Sequence, residues 1–111
     1  MTLSSIYTML TSITGFSGKV SYRAFPAGSA PALPYIVYLC GYSDNFAADD
    51  QVYVPIEHIT IELYSERKDE ASEALVEGAL KRAGLVWEKS EEQIDSELML
   101  EVVYEINIMK G

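Results

Sequence analysis

A chain of 111 residues, 49% hydrophobic and 23% charged, can bury one core without metals or disulfides, and it leaves no room for a second domain. Its 17 acidic against 8 basic residues give a formal charge of -9, which repels phosphate backbones and argues against nucleic-acid binding. The lone Cys40 cannot form an intramolecular disulfide and fits a reducing compartment.

The chain opens with Leu3, Ile6, Tyr7, Leu10 and Ile13 at helical spacing, with Ser and Thr opposite and Gly15 after them, which predicts a helix over about residues 3–13. Those Ser and Thr residues also break up any secretory apolar core. Nowhere does the chain reach the roughly 18 consecutive apolar residues of a membrane span, so a soluble protein made in the cytoplasm is expected. "KVSYRAF" (residues 19–25) reads as a strand, and the prolines of "PAGSAPALP" then break it into a loop. In "PYIVYLCGY" both alternating sets are apolar: Tyr35, Val37 and Leu39 on one side, Ile36, Tyr38 and Cys40 on the other. Such a strand is central in a covered sheet or buries its second face against a neighbour.

"GYSDNFAADDQVYVP" (residues 41–55) is turn-rich and acidic yet carries Tyr42, Phe46, Val52 and Tyr53, and it is expected to be a long loop or a β-hairpin arm. Folded back on its own domain, it would pair Tyr42 with Tyr53. In "EHITIELY", Ile59, Ile61 and Leu63 face one side and His58, Thr60, Glu62 and Tyr64 the other, so the strand is half-buried.

A second helix follows, capped by Asp69, acidic in its first turns, basic at Lys81 and Arg82, and ended by Gly84 and Leu85 in a Schellman arrangement. Its Ala71, Ala74, Leu75, Gly78 and Ala79 form a small-residue stripe expected to lie close on a sheet, with Gly78 marking the close approach. "VWEKSE" and "ELMLEVVYEINIM" complete the strands. In the latter Leu98, Leu100, Val102, Tyr104, Ile106 and Ile108 share a face. The order predicts an α+β fold over residues 1–111: a mainly antiparallel sheet with both helices packed on one side and an arm between strands.

No catalytic constellation emerges. His58 is the only histidine and sits on the polar side of a strand. Asp44, Asn45, Asp49 and Asp50 lack calcium-loop spacing, the "TGFSGK" glycines lack phosphate-loop spacing, and no nucleophile motif surrounds any serine or Cys40. A non-enzymatic protein without metal or cofactor is expected. Residues 1–43 hold Lys19 and Arg23 and no acid, whereas all 17 acids fall beyond them, an asymmetry that would orient one ring on another in a stacked assembly.

Residues 33–108 resemble the small tail-completion or tail-terminator proteins of long-tailed phages and prophages of Gram-positive bacteria. The likeness lies in the succession of "LPYIVYL", "SDNFAADDQVY", "IELYSERKD", "WEKSEEQIDSELM" and "EVVYEINI". The resemblance implies a virion protein of the neck that forms a homo-oligomeric ring, typically hexameric, on the head-proximal end of the tail tube. Such a ring stops tube polymerisation and offers the surface on which the head docks, so its partners are its own copies, the tail tube protein and a head–tail connector or stopper. A related neck or head-completion protein is the near alternative, and a small acidic nucleic-acid mimic is a different one. For ring contacts, Tyr38 on its strand and Tyr42, Asp44, Asn45, Phe46, Asp49, Asp50, Val52 and Tyr53 in the arm are the candidate interface residues. Phe46 and Tyr53 would be the anchors and the Asp and Asn residues the polar rim.

Overall fold

Alternation of apolar and polar residues builds the sheet, and the backbone register shows which alternate set faces the core. The computed structural model describes residues 1–43, 46–48, 51–54 and 56–109, those from 42 to 54 by their backbone alone. Helix α1 (Leu3–Thr11) leads to β1 (Val20–Tyr22), β2 (Tyr35–Ser43), β3 (Phe46–Ala48), β4 (Gln51–Val54) and β5 (Ile56–Ser65). Helix α2 (Glu70–Arg82), β6 (Trp87–Ile94), a 3-10 turn (Asp95–Glu97) and β7 (Met99–Met109) follow. The strands form a five-stranded sheet in the order β1-β2-β5-β7-β6 and a separate two-stranded sheet of β3 and β4. The fold is α+β, as the element order predicts.

Rows of core side chains run straight across the sheet: Ile36, Leu63 and Val102, then Tyr38, Ile61 and Tyr104, then Cys40, Ile59 and Ile106. Ile6 and Leu10 of α1 and Val76, Ala79 and Leu80 of α2 pack into the same cluster, so both helices cover one face. Each fully buried aliphatic side chain there contributes about 1.5–3 kcal/mol.

One pairing departs from the antiparallel expectation: β1 runs parallel to β2, with Val20 opposite Ile36 and Tyr22 opposite Tyr38. Parallel neighbours need a crossover, and residues 23–34 supply it. Arg23 starts it in a left-handed conformation (φ 68°), its amide donating to the Tyr38 carbonyl at 2.8 Å, which shortens the expected strand of residues 19–25 to three residues. The crossover lies over the face opposite the helices. Phe25 meets Tyr35 edge to face at 5.1 Å, and Val37 is only 5% exposed. The doubly apolar β2 is therefore covered on its second face by its own chain.

Helix α2 is turned differently from the expected small-residue packing. Its inner face is Ser72, Glu73, Val76, Ala79 and Leu80, whereas Ala71, Ala74 and Leu75 are exposed. A Cβ on Gly78 would meet only the Arg82 guanidinium, at 3.3 Å, so no close approach to the sheet requires glycine there. The caps are as expected: Asp69 accepts from the Ser72 amide at 3.0 Å, and Leu85 to Leu80 and Gly84 to Lys81 make both Schellman bonds.

The inner face carries charge beside its aliphatic Val76 and Leu80. Glu73, its side chain 4% exposed, sits 2.7 Å from Lys89 Nζ of β6 and 3.0 Å from Lys68 Nζ. Lys89 also binds Glu77 at 2.8 Å, Lys68 binds Glu91 at 2.7 Å, and the Tyr104 hydroxyl donates to Glu77 at 2.8 Å. Burial pushes the Glu73 and Glu77 carboxyls up, but the lysine bonds, aided at Glu77 by Tyr104, outweigh it and hold both below the usual carboxylate range. Leu98 also leaves its expected face: it closes the 3-10 turn in a left-handed conformation (φ 52°) and is 78% exposed.

Candidate subunit interface

The acidic, aromatic segment is a hairpin. Phe46 pairs with Val54, Ala47 with Val52 and Ala48 with Gln51, and none of these strands joins the main sheet. Tyr42 does not face Tyr53. It lies opposite His58 at the end of the β2–β5 ladder, past a register shift after Cys40, so the fold-back pairing of the two tyrosines is corrected. Asp44, Asn45, Asp49 and Asp50 lie outside the described residues, and Phe46, Val52 and Tyr53 are placed only by their strands.

Tyr38, the remaining candidate, is 6% exposed and forms the floor of a groove that the sequence reading did not single out. Tyr7 of α1 lies 6.3 Å from its ring and Tyr22 of β1 5.2 Å, edge to face. Desolvation by burial, with the neighbouring Tyr7 and Tyr22, raises the Tyr38 hydroxyl above the usual tyrosine value. A signal was present in the sequence: Leu3 and Tyr7 are four residues apart on a helix, and Tyr22 and Tyr38 lie in the two strands that precede and follow the proline-rich crossover.

The face of the sheet away from the helices is acidic. Glu88 stands directly opposite Glu105, and Glu92 opposite Glu101, with Glu62 diagonal to Glu101 on β5. The positions alternating onto this face in residues 58–64, 88–92 and 101–107 include no Lys or Arg. Like charges so placed are destabilising. Tyr64 mediates, donating to Glu101 at 2.8 Å and lying 3.2 Å from Glu62.

Burial, then a shared hydrogen bond and repulsion from Glu101, raise the Glu62 carboxyl to about 7. A raised acid favours the folded state when protonated. Its contribution is complete below the ordinary value of 4.5 and is lost as pH rises through about 7. The gap sets a ceiling of about 3 kcal/mol, which solvent at this half-buried site reduces to about 1–2 kcal/mol. Glu62→Gln is therefore expected to stabilise the fold by about 1–2 kcal/mol at pH 8 and by nearly nothing at pH 4.5, as read by urea unfolding at the two pH values.

A depression of 490 Å³ lies where β5, β7 and the start of β6 meet, lined by His58, Trp87, Glu88, Glu105 and Asn107 among others. His58 Nδ1 is 3.0 Å from Asn107 Oδ1, its cross-strand neighbour, and Nε2 is 3.6 Å from Glu105. One imidazole and two carboxylates converge there, but the lining offers no hydroxyl, thiol or amine as a nucleophile. Among the described residues no group of three or more His, Cys, Asp or Glu could hold a metal ion, and no helix is long and apolar enough to cross a membrane.

No family model matches the chain, and no curated protein does. A solved structure does share the fold: a chain of the virion of a native gene transfer agent particle superposes with a TM-score of 0.64 at 14% identity, over 94% of this chain and 90% of that one.

Proposed function

We propose that this protein is a structural, non-catalytic subunit of a phage-like virion. Copies of it close into a ring on the head-proximal end of a tail tube, end tube polymerisation and present the surface on which the head docks. The observation that carries the reading is the fold shared, along nearly the whole of both chains, with a chain of a gene transfer agent virion. The resemblance of residues 33–108 to tail-completion proteins points the same way. The tail tube protein and a head–tail connector or stopper are the partners, and the neck of the virion is the site.

Ring closure needs two different patches per copy, one meeting the other on the next subunit. The β3–β4 hairpin, with Phe46 and Tyr53 as anchors and Asp44, Asn45, Asp49 and Asp50 at the rim, supplies one of them. The test is a tube-assembly reaction with subunits encoded by the neighbouring tail-tube gene. Adding this protein is expected to yield shorter tubes bearing density at one end in negative-stain images. Tubes of unchanged length with bare ends would refute the capping role.

A second reading has one observation behind it. The row of Glu62, Glu88, Glu92, Glu101 and Glu105 on the sheet face away from the helices, with no Lys or Arg among the alternating positions of residues 58–64, 88–92 and 101–107, is the charge arrangement of a nucleic-acid mimic, which would act as a monomer or dimer on a DNA-binding partner. The native mass separates the two.

A further inference from the structure

We propose that the tyrosine groove beside β1 is the seat for the β3–β4 hairpin of a second copy of this chain. The inference rests on the ring reading above and names the receiving surface of the same contact. The groove, 440 Å³ in volume, is lined by Leu3, Ser4, Tyr7, Thr8, Tyr22 and Tyr38. Tyr7 and Tyr22 leave 45% and 39% of their surface to solvent although their rings pack round Tyr38. Aromatic pockets of this kind hold the anchors that dominate interface energies.

Charge selects the occupant. The groove belongs to residues 1–43, which contain no carboxylate, and the Arg23 guanidinium lies 5.4 Å from the Tyr22 ring centroid. Residues 44–54 carry Asp44, Asp49 and Asp50 and no Lys or Arg, with Phe46, Val52 and Tyr53 between them. An acidic hairpin with apolar residues thus matches an acid-free aromatic groove flanked by a cation.

In the proposed ring, the hairpin and the groove that receives it belong to different copies. The hairpin leaves the main sheet where Ser43 pairs with Glu57, whereas Tyr38, the groove floor, is five residues back along β2, roughly 17 Å away at strand spacing. An isolated two-stranded hairpin is marginal in water and gains stability by packing on another surface. Because hairpin and groove are different patches, each copy gives one and receives one, and the contact passes round a closed ring.

Thr8→Glu places a negative charge on the exposed rim of the groove, with Thr8→Gln as the uncharged control. Light scattering is expected to show T8E falling from ring to single-copy mass at unchanged circular dichroism, T8Q keeping the ring, and T8E combined with Asp49→Lys and Asp50→Lys regaining it. Independently, in a Cys40→Ser background, copies with Ser4→Cys mixed with copies with Val52→Cys are expected to give a disulfide-linked pair absent from either alone. Rings that survive T8E, or that assemble without the mixed disulfide, overturn the groove as the seat while leaving the ring intact. A wild-type chain that stays single-copy both alone and with its tube subunits removes the ring reading and the groove with it.

Discussion

Removing residues 44–52 is expected to abolish ring formation and leave the main sheet folded. The deletion joins Ser43 to Tyr53, so the paired positions Ser43 and Glu57 stay linked through residues 53–56, a length that hairpin loops commonly use. Among the described residues, the buried cluster draws on α1, β1, β2, β5, α2 and β7 and the short segment between α1 and β1, with Trp87 of β6 packed against it. What disappears is most of the separate two-stranded sheet, with Phe46, Val52 and the aspartates. The measurement is sedimentation velocity of the full chain and the deletion side by side, with far-ultraviolet circular dichroism to confirm the fold. Rings of unchanged size from the shortened chain would exclude the hairpin as the contact.

Lys89→Met is expected to destabilise the fold substantially. Lys89 holds Glu73 at 2.7 Å and Glu77 at 2.8 Å, and its removal leaves the nearly buried Glu73 with Lys68 as its remaining cation among the described residues. Breaking a fully buried pair costs about 3–5 kcal/mol, and the remaining Lys68 contact together with the partial exposure of Lys89 reduces this to about 2 kcal/mol. For a chain of this size that lowers the melting temperature by about 8–16 °C.

The pH dependence gives a second signature. Glu73 and Glu77 are depressed acids, so their contribution is present above the ordinary 4.5 and lost as pH falls through their lowered folded values. The deficit of the variant is accordingly expected at pH 7 and should shrink at pH 3, in unfolding curves taken at both. An equal deficit at the two pH values would show that Lys89 acts through packing of its stem and not through the carboxylates.

The parts of the fold legible in the sequence are those with a short-range cause. Asp69, Lys81, Arg82 and Gly84 mark the ends of α2 because unsatisfied backbone groups select those residue types. Ile59, Ile61 and Leu63 mark the inner face of β5 because strand side chains alternate. What was illegible depends on residues far apart in the chain. The small-residue stripe of α2 suggested a close-packed face, but Val76 and Leu80, with Glu73 paired to Lys68 and Lys89, form the inner face and leave Ala71, Ala74 and Leu75 to solvent. The parallel direction of β1 comes from the crossover of residues 23–34, which has no periodicity of its own. Leu98 continues the apolar alternation of β7 on paper, yet the preceding 3-10 turn sets it outside the strand.

The candidate interface divides the same way. The hairpin carried a readable signal, two short β-prone segments separated by Asp49 and Asp50, a two-residue spacing that hairpins favour. The groove was legible only in part: Leu3 and Tyr7 share a helix face, but Tyr7, Tyr22 and Tyr38 meet only after α1, β1 and β2 have assembled.

The most direct measurement is the mass of the purified chain in solution by multi-angle light scattering, alone and with its tube subunits. The ring reading predicts one discrete species at a whole multiple of 12.3 kDa, six for a hexamer, formed alone or on the tube end. A particle that remains at 12.3 kDa in both conditions contradicts it.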